Sequence, residues 1–156
     1  MVDVLTTKQR QLNMSRIRSG DTKPEMIVRR GLHSQGLRYR LHDRKLLGRP
    51  DLVFPRYRAV ILVHGCFWHG HHCPLFRLPG TRTEFWRTKI DGNRMRDAKV
   101  HSALRADGWR VLTIWECSLK GTSKWPLQLL LADAAEFVRG NEVEQAIEGR
   151  WDIDRD

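Results

Sequence analysis
Residues 59–63, AVILV, form an unbroken apolar run that passes directly into HGCFWHGHHC (64–73). A run this short, with no polar alternate, predicts a central strand covered on both faces. Such a strand needs neighbours in a sheet and a layer on each side, and the remaining chain has the patterns for them. DLVF (51–54) reads as a second strand joined to the first by PRYR, and WRVLTIW (109–115) as another buried strand. LRYRL (37–41) alternates apolar and basic residues, as a half-exposed strand does.

The helices are signalled by their ends. Thr22, Pro24 and Glu25 read as a capping box opening a helix from about Lys23 to Gln35, with Gly36 placed to end it. Thr83 opens a polar helical segment, expected to be interrupted near Asp91-Gly92, that reaches Ala106 before Gly108. Pro126 to about Val138 is amphipathic. The order α-β-β-β-α-β-α predicts an α/β domain, a mixed central sheet flanked by helices, over residues 21–140. Residues 1–20 read as a polar, basic N-terminal arm, and residues 141–156 as an acidic, mobile tail.

Charge narrows the partner. The chain of 156 residues has 28 Lys+Arg against 18 Asp+Glu, although residues 133–156 hold eight acidic and three basic residues. Arginine, whose planar fork suits phosphate, supplies 21 of the 28 cations. A basic body of this kind points to nucleic acid. With 40% hydrophobic residues the chain can bury one core, and three cysteines are an odd number for a disulfide framework. No signal peptide or membrane span is recognisable, so a cytoplasmic protein is expected.

Cys66, Cys73 and Cys117 all fall at strand ends or in the adjoining loop. With one histidine they would make a closed Cys3His set suited to structural zinc. Spacing does not choose among His69, His71 and His72. Asp51 begins one strand where the next ends in Val63-His64, so a hairpin brings the carboxylate near His64 and the Val63 carbonyl. Those hard oxygens suit Mg2+, and a nearby imidazole suits proton transfer from water. Phe67 and Trp68, flanked by metal ligands, are expected to be exposed. With Trp86 they are candidates to wedge into or stack on bases, whereas Trp109 and Trp115 are assigned to the core.

Four blocks, RPDLV (49–53), VHGCFWHGHHC (63–73), TRTEFWRTKIDGNRMRD (81–97) and GWRVLTIWEC (108–117), together resemble the very-short-patch repair (Vsr) endonucleases. The resemblance implies a restriction-endonuclease-like fold. It also implies an enzyme that nicks one strand of duplex DNA beside a T:G mismatch left by deamination of 5-methylcytosine. Asp51 would be the main catalytic carboxylate, binding Mg2+ with the Val63 backbone carbonyl. His64 and His69 would act at the scissile phosphate, and Glu25 would support the metal-bound waters. Zinc would be held by Cys66, His71, Cys73 and Cys117. Phe67, Trp68 and Trp86 would intercalate from one groove and Met14 from the other, with Lys89 and Asn93 near the mismatched pair. A monomer suffices for a single nick, and mismatch-repair proteins are candidate partners. The family pattern has threonine where this chain has Val63, and Gly70 interrupts a histidine run, with no chemical consequence expected. Three competitors share parts of this pattern: a restriction-type enzyme cutting matched duplex, a zinc-stabilised DNA-bending module without catalysis, and an RNA-binding protein.

Overall fold
The computed structural model describes residues 20–150. Met14 and the rest of the N-terminal arm through residue 19 lie outside the described residues, as do residues 151–156. Helix α1 spans Lys23–Ser34, and strands β1, β2 and β3 span Arg40–Leu41, Leu52–Phe54 and Ala59–His64. Helix α2 (Thr83–Ala106), strand β4 (Arg110–Trp115), helix α3 (Leu127–Arg139) and strand β5 (Glu144–Ile147) complete the fold. The five strands make one mixed sheet in the order β1-β2-β3-β4-β5. The first two pairings are antiparallel, and β3-β4 and β4-β5 are parallel. A parallel neighbour requires a crossover, and residues 65–109, with α2 inside them, supply it between β3 and β4.

The sheet is covered on both faces, as the AVILV run demands. Ala59 and Ile61 of β3, Leu52 and Phe54 of β2, and Leu112 and Ile114 of β4 pack with α1 and α3. Val60 and Leu62, Val53 and Val111 pack on the other face with Leu104 of α2, Trp109 and Val100. Side chains alternate between faces along a strand. Asp51 therefore shares the face of Val53, and His64 that of Val60 and Leu62, so both look toward α2.

Several local readings differ from the structure. Only Arg40–Leu41 of LRYRL pair in the sheet. The Leu37 N–H instead closes α1 by donating to the Leu32 carbonyl (3.1 Å), after Gly36 has turned at φ +88°. Helix α2 is continuous through Asp91-Gly92, which lie on its exposed side; an exposed glycine costs a helix only about 1 kcal/mol. The segment read as a mobile tail from residue 141 contains β5, which pairs with β4 from Val111↔Glu144 to Ile114↔Ile147 and buries Ile147. Trp109 is buried as expected, but Trp115 is only half-buried. Among the described residues, no helix is long and apolar enough to cross a membrane.

Candidate active site and metal centre
Beyond the C-terminal end of β3 the chain leaves the sheet, and a cleft of about 860 Å³ opens between this edge, α2 and the start of α1. Asp51, His64, His69 and Asp97 line it, with Phe67 and Trp68 at its wall. Arg49, Lys89 and Arg96 also border it, giving a cationic rim suited to phosphate.

Asp51 lies one step beyond the β2-β3 register, and its Oδ2 accepts the Val63 N–H at 2.7 Å. Burial, with the Glu25 carboxyl close by, pushes the Asp51 carboxyl up to about 7, against the lowering effect of the Val63 hydrogen bond. Glu25 is only 1% exposed. Its N–H is capped by Thr22 Oγ1, at 3.4 Å, but its carboxylate does not complete the capping box. Instead it accepts from the Asp21 N–H at 3.2 Å and the Arg29 guanidinium at 3.0 Å, and both oxygens lie 3.0 Å from His42 Nε2. A buried carboxylate that resists ionisation beside a second carboxylate is a place where a divalent cation is stabilising, and the oxygen donors suit a hard one. The Val63 side chain packs against the opposite cluster. A hydroxyl there would face away from the cleft, so valine in place of threonine leaves the Asp51 contact intact.

The imidazoles of His64 and His69 stack with centroids 3.7 Å apart and planes 3° from parallel. His69 Nδ1 is 2.6 Å from Asp97 Oδ2, which leaves Nε2 to meet a substrate. Burial and the neighbouring His69 lower the His64 imidazole to about 3, so it is neutral at physiological pH, and among the described residues its buried Nδ1 has no hydrogen-bond partner.

The loop after His64 is organised by the second cluster. Cys66, His71, Cys73 and Cys117 offer ligand atoms all within 4.8 Å of one another. His71 Nδ1 is 3.6 Å from both Cys66 Sγ and Cys117 Sγ. Tetrahedral zinc with ordinary Zn–S and Zn–N bonds requires a nitrogen–sulfur edge of about 3.6 Å, so the cluster has the dimensions of a metal site. The contact between the two thiols raises Cys66 and lowers Cys117 to about 4, and a cation held by the cluster would displace the thiol protons. Of the three histidines that spacing left open, His71 alone joins this set, and His69 falls in a different group with His64 and Asp97.

The aromatics divide. Phe67 and Trp68 are half-buried, their rings edge-on at 5.2 Å. Trp86 is 3% exposed and packs behind them, its ring 5.5 Å from Phe67 and 5.9 Å from Trp68. Phe67 and Trp68, expected to be exposed, are thus partly covered, and Trp86, named with them as a candidate to meet bases, is turned inward because helical spacing places it on the stripe Trp86, Ile90, Asn93, Asp97, Val100, Leu104. Asn93 donates to the Trp68 carbonyl at 2.9 Å, and Lys89 is exposed one turn earlier. Gly70 has φ +60°, and a Cβ there would lie 2.6 Å from Ile90 Cγ2, so its lack of a side chain lets the loop dock on α2. Arg94 completes that docking by donating to the Gly70 carbonyl.

Sequence reasoning missed Asp97, His42 and Glu148, whose carboxylate lies 2.8 Å from His71 Nε2. Asp97 was discoverable: it follows Lys89 and Asn93 at intervals of four along one helix face.

The family described as DNA mismatch endonuclease Vsr matches residues 2–75. The DNA mismatch endonuclease Vsr of Escherichia coli (strain K12) is 45% identical over 148 residues, 95% of this chain and 95% of its own length. This chain belongs to the Vsr family. Another relative, the type II nicking enzyme V.XorIIP of Xanthomonas oryzae pv. oryzae, is 50% identical over 119 residues, 76% of this chain and 88% of its own. A third, the type II nicking enzyme V.NmeAIP of Neisseria meningitidis serogroup A, is 44% identical over 120 residues, 77% of this chain and 86% of its own. As a Vsr protein the chain is a DNA mismatch endonuclease that nicks its substrate.

Proposed function
We propose that this Vsr protein nicks one strand of duplex DNA beside a T:G mismatch arising from deaminated 5-methylcytosine, using Mg2+ at Asp51 and the Val63 carbonyl. What carries the reading is the shared cleft. The carboxylate, the two histidines and the half-buried Phe67-Trp68 pair border the same space. The wedge that tests the base stack is thus fixed beside the groups that cut the backbone. The order of the strands and the two-sided covering fit a restriction-endonuclease-like domain that runs from residue 21 through β5, with residues 1–20 as a DNA-contacting arm.

Bound at Asp51, Mg2+ supplies positive charge to the phosphate oxygens. His69 is the general base: Asp97 holds Nδ1, so Nε2 takes the proton from the attacking water. The oxygen of that water bonds to phosphorus as the bond to the leaving deoxyribose oxygen breaks. His64, neutral in its buried position, contacts the phosphate by a hydrogen bond rather than by charge. Glu25, clamped by His42 and Arg29, would orient waters bound to a metal held at Asp51. Phe67 and Trp68 intercalate and Trp86 backs them; Met14 would enter from the other groove, and Lys89 and Asn93 lie toward the mismatched pair. A wobble pair costs less to unstack than a matched one, which gives part of the selectivity. Zinc at Cys66, His71, Cys73 and Cys117 fixes the loop. The protein works as a cytoplasmic monomer on nucleoid DNA, with mismatch-repair proteins as candidate partners.

The test is a Mg2+-dependent nicking assay on end-labelled duplexes carrying T:G or the matched pair in varied flanking contexts, with Asp51→Ala as control. Nicking confined to T:G and lost in the variant is expected. Equal cutting of matched duplex would make the protein a restriction-type enzyme, and binding without cutting would make it a DNA-bending module.

A further inference from the structure
Strand β5 does not end at the sheet. Its next residue, Glu148, reaches the Cys3His cluster, placing Oε2 2.8 Å from Nε2 of His71, the nitrogen that faces away from the three sulfurs. Gly149 then donates its backbone N–H to Cys117 Sγ at 3.2 Å. This approach depends on glycine: a Cβ at Gly149 would lie 2.8 Å from the Cys117 carbonyl and 2.9 Å from Ser123 Cβ. The segment is anchored from outside as well. The Trp125 indole N–H donates to the Glu148 carbonyl at 2.8 Å, the Arg150 N–H donates to the Ser123 carbonyl at 2.9 Å, and the Arg150 guanidinium lies 4.0 Å over the Trp125 ring.

We propose that Glu148 is a positioning residue for the metal centre, and that the segment from β5 to Arg150 is its outer clamp. The inference rests on the assignment of zinc to Cys66, His71, Cys73 and Cys117. A ligating histidine is oriented by what its second nitrogen donates to. With Nε2–H donating to the Glu148 carboxylate, His71 is held in the tautomer that offers the Nδ1 lone pair to the cluster. Stacking of His71 on Trp115, with centroids 4.0 Å apart and planes 8° from parallel, fixes the ring plane but not the tautomer, so the carboxylate has a distinct task. The Gly149 N–H, donating to Cys117 Sγ, stabilises negative charge on that sulfur. The acidic stretch past Gly140 is thereby part of the machinery that holds Phe67, Trp68, His64 and His69 in place.

The experiment measures zinc content and chelator competition on the full chain, with the absorption spectrum of the cobalt-substituted protein as a report on ligand geometry. The variants are Glu148→Ala, Glu148→Gln and, as a control in the same strand, Glu144→Ala. Loss of a partner to a metal-bound histidine weakens metal affinity by about 10- to 100-fold. That loss, with an altered cobalt spectrum, is expected for Glu148→Ala. Glu148→Gln, which still accepts from Nε2–H through its amide oxygen, should restore much of it, and Glu144→Ala should match wild type. Zinc affinity and cobalt spectrum unchanged in Glu148→Ala, with wild type binding one zinc, would overturn the clamp alone. Wild type that holds no zinc would overturn the metal assignment and the clamp with it. If Glu148→Ala does not fold, the Gln variant decides: wild-type affinity and spectrum with a folded chain would support the hydrogen bond, and loss equal to that of a Cys117 variant would refute it.

Discussion
Asp51→Asn should make the protein more stable while abolishing its nicking. The Asp51 carboxyl has an ordinary value of 3.8 and sits at about 7 in the fold, raised first by burial. Between those values the folded protein holds a proton that the unfolded chain has released, so stability falls as pH rises through that window. Below it both states are protonated and the cost vanishes; above it the cost is complete. The gap corresponds to about 4 kcal/mol at about pH 8, a ceiling for a group coupled to Glu25. Asparagine keeps an oxygen to accept the Val63 N–H and carries no charge at any pH. Urea unfolding at a series of pH values, with zinc retained and Mg2+ omitted, should show a gain of about 2–4 kcal/mol at about pH 8 that shrinks toward zero near pH 4. Added Mg2+ should stabilise wild type and not the variant, because only the carboxylate state binds it. A variant no more stable than wild type at high pH, or one whose gain is independent of pH, would show that Asp51 is not held against its own ionisation.

The histidine pair, the wedge and the metal cluster give three further tests. His69→Ala should cost the contribution of a general base, about 10²–10⁴-fold in single-turnover nicking. Asp97→Asn should cost a smaller part of it, and both should leave affinity for the mismatched duplex unchanged. Trp68→Ala should weaken binding of a T:G duplex by about 1–3 kcal/mol in fluorescence anisotropy, the value of one aromatic stacked on a base, with a smaller loss on matched duplex. Cys117→Ala should lower zinc content and melting temperature together, since metal binding is folding free energy in such sites; full zinc stoichiometry with normal melting would exclude Cys117 as a ligand.

What could be read from the sequence was whatever depends on neighbours along the chain. A five-residue apolar run and a short hairpin were enough to put Asp51 beside the Val63 backbone and on the same face as His64, because strand periodicity is local. Choosing His71 over His69 and His72 was beyond spacing, since it depends on how the loop folds back over β4 and on Trp115 stacking against one ring. The burial of Trp86 was not legible because the surrounding segment TRTEFWRTKI is mostly polar and basic. Its burial follows from a helical stripe that becomes apparent only when the segment is taken as one unbroken helix of about 36 Å. Strand β5 was hidden for the opposite reason. Its side chains are mostly exposed at the sheet edge, so EQAI shows a single buried residue, and the strand is specified by its backbone pairing with β4.

The spread of the Cys3His cluster along the chain also bears on when during synthesis the enzyme can act. Cys66 and Cys117 are 51 residues apart, and Glu148 lies 77 residues after His71. Translation proceeds from the N-terminus at about 5–20 residues per second, so Asp51, His64, His69 and the aromatic pair leave the ribosome several seconds before the groups that fix their loop. A truncated or nascent chain would hold every group of the proposed cutting chemistry yet could not arrange them. On the proposed zinc clamp, emergence of Glu148 is thereby a condition for the first cut.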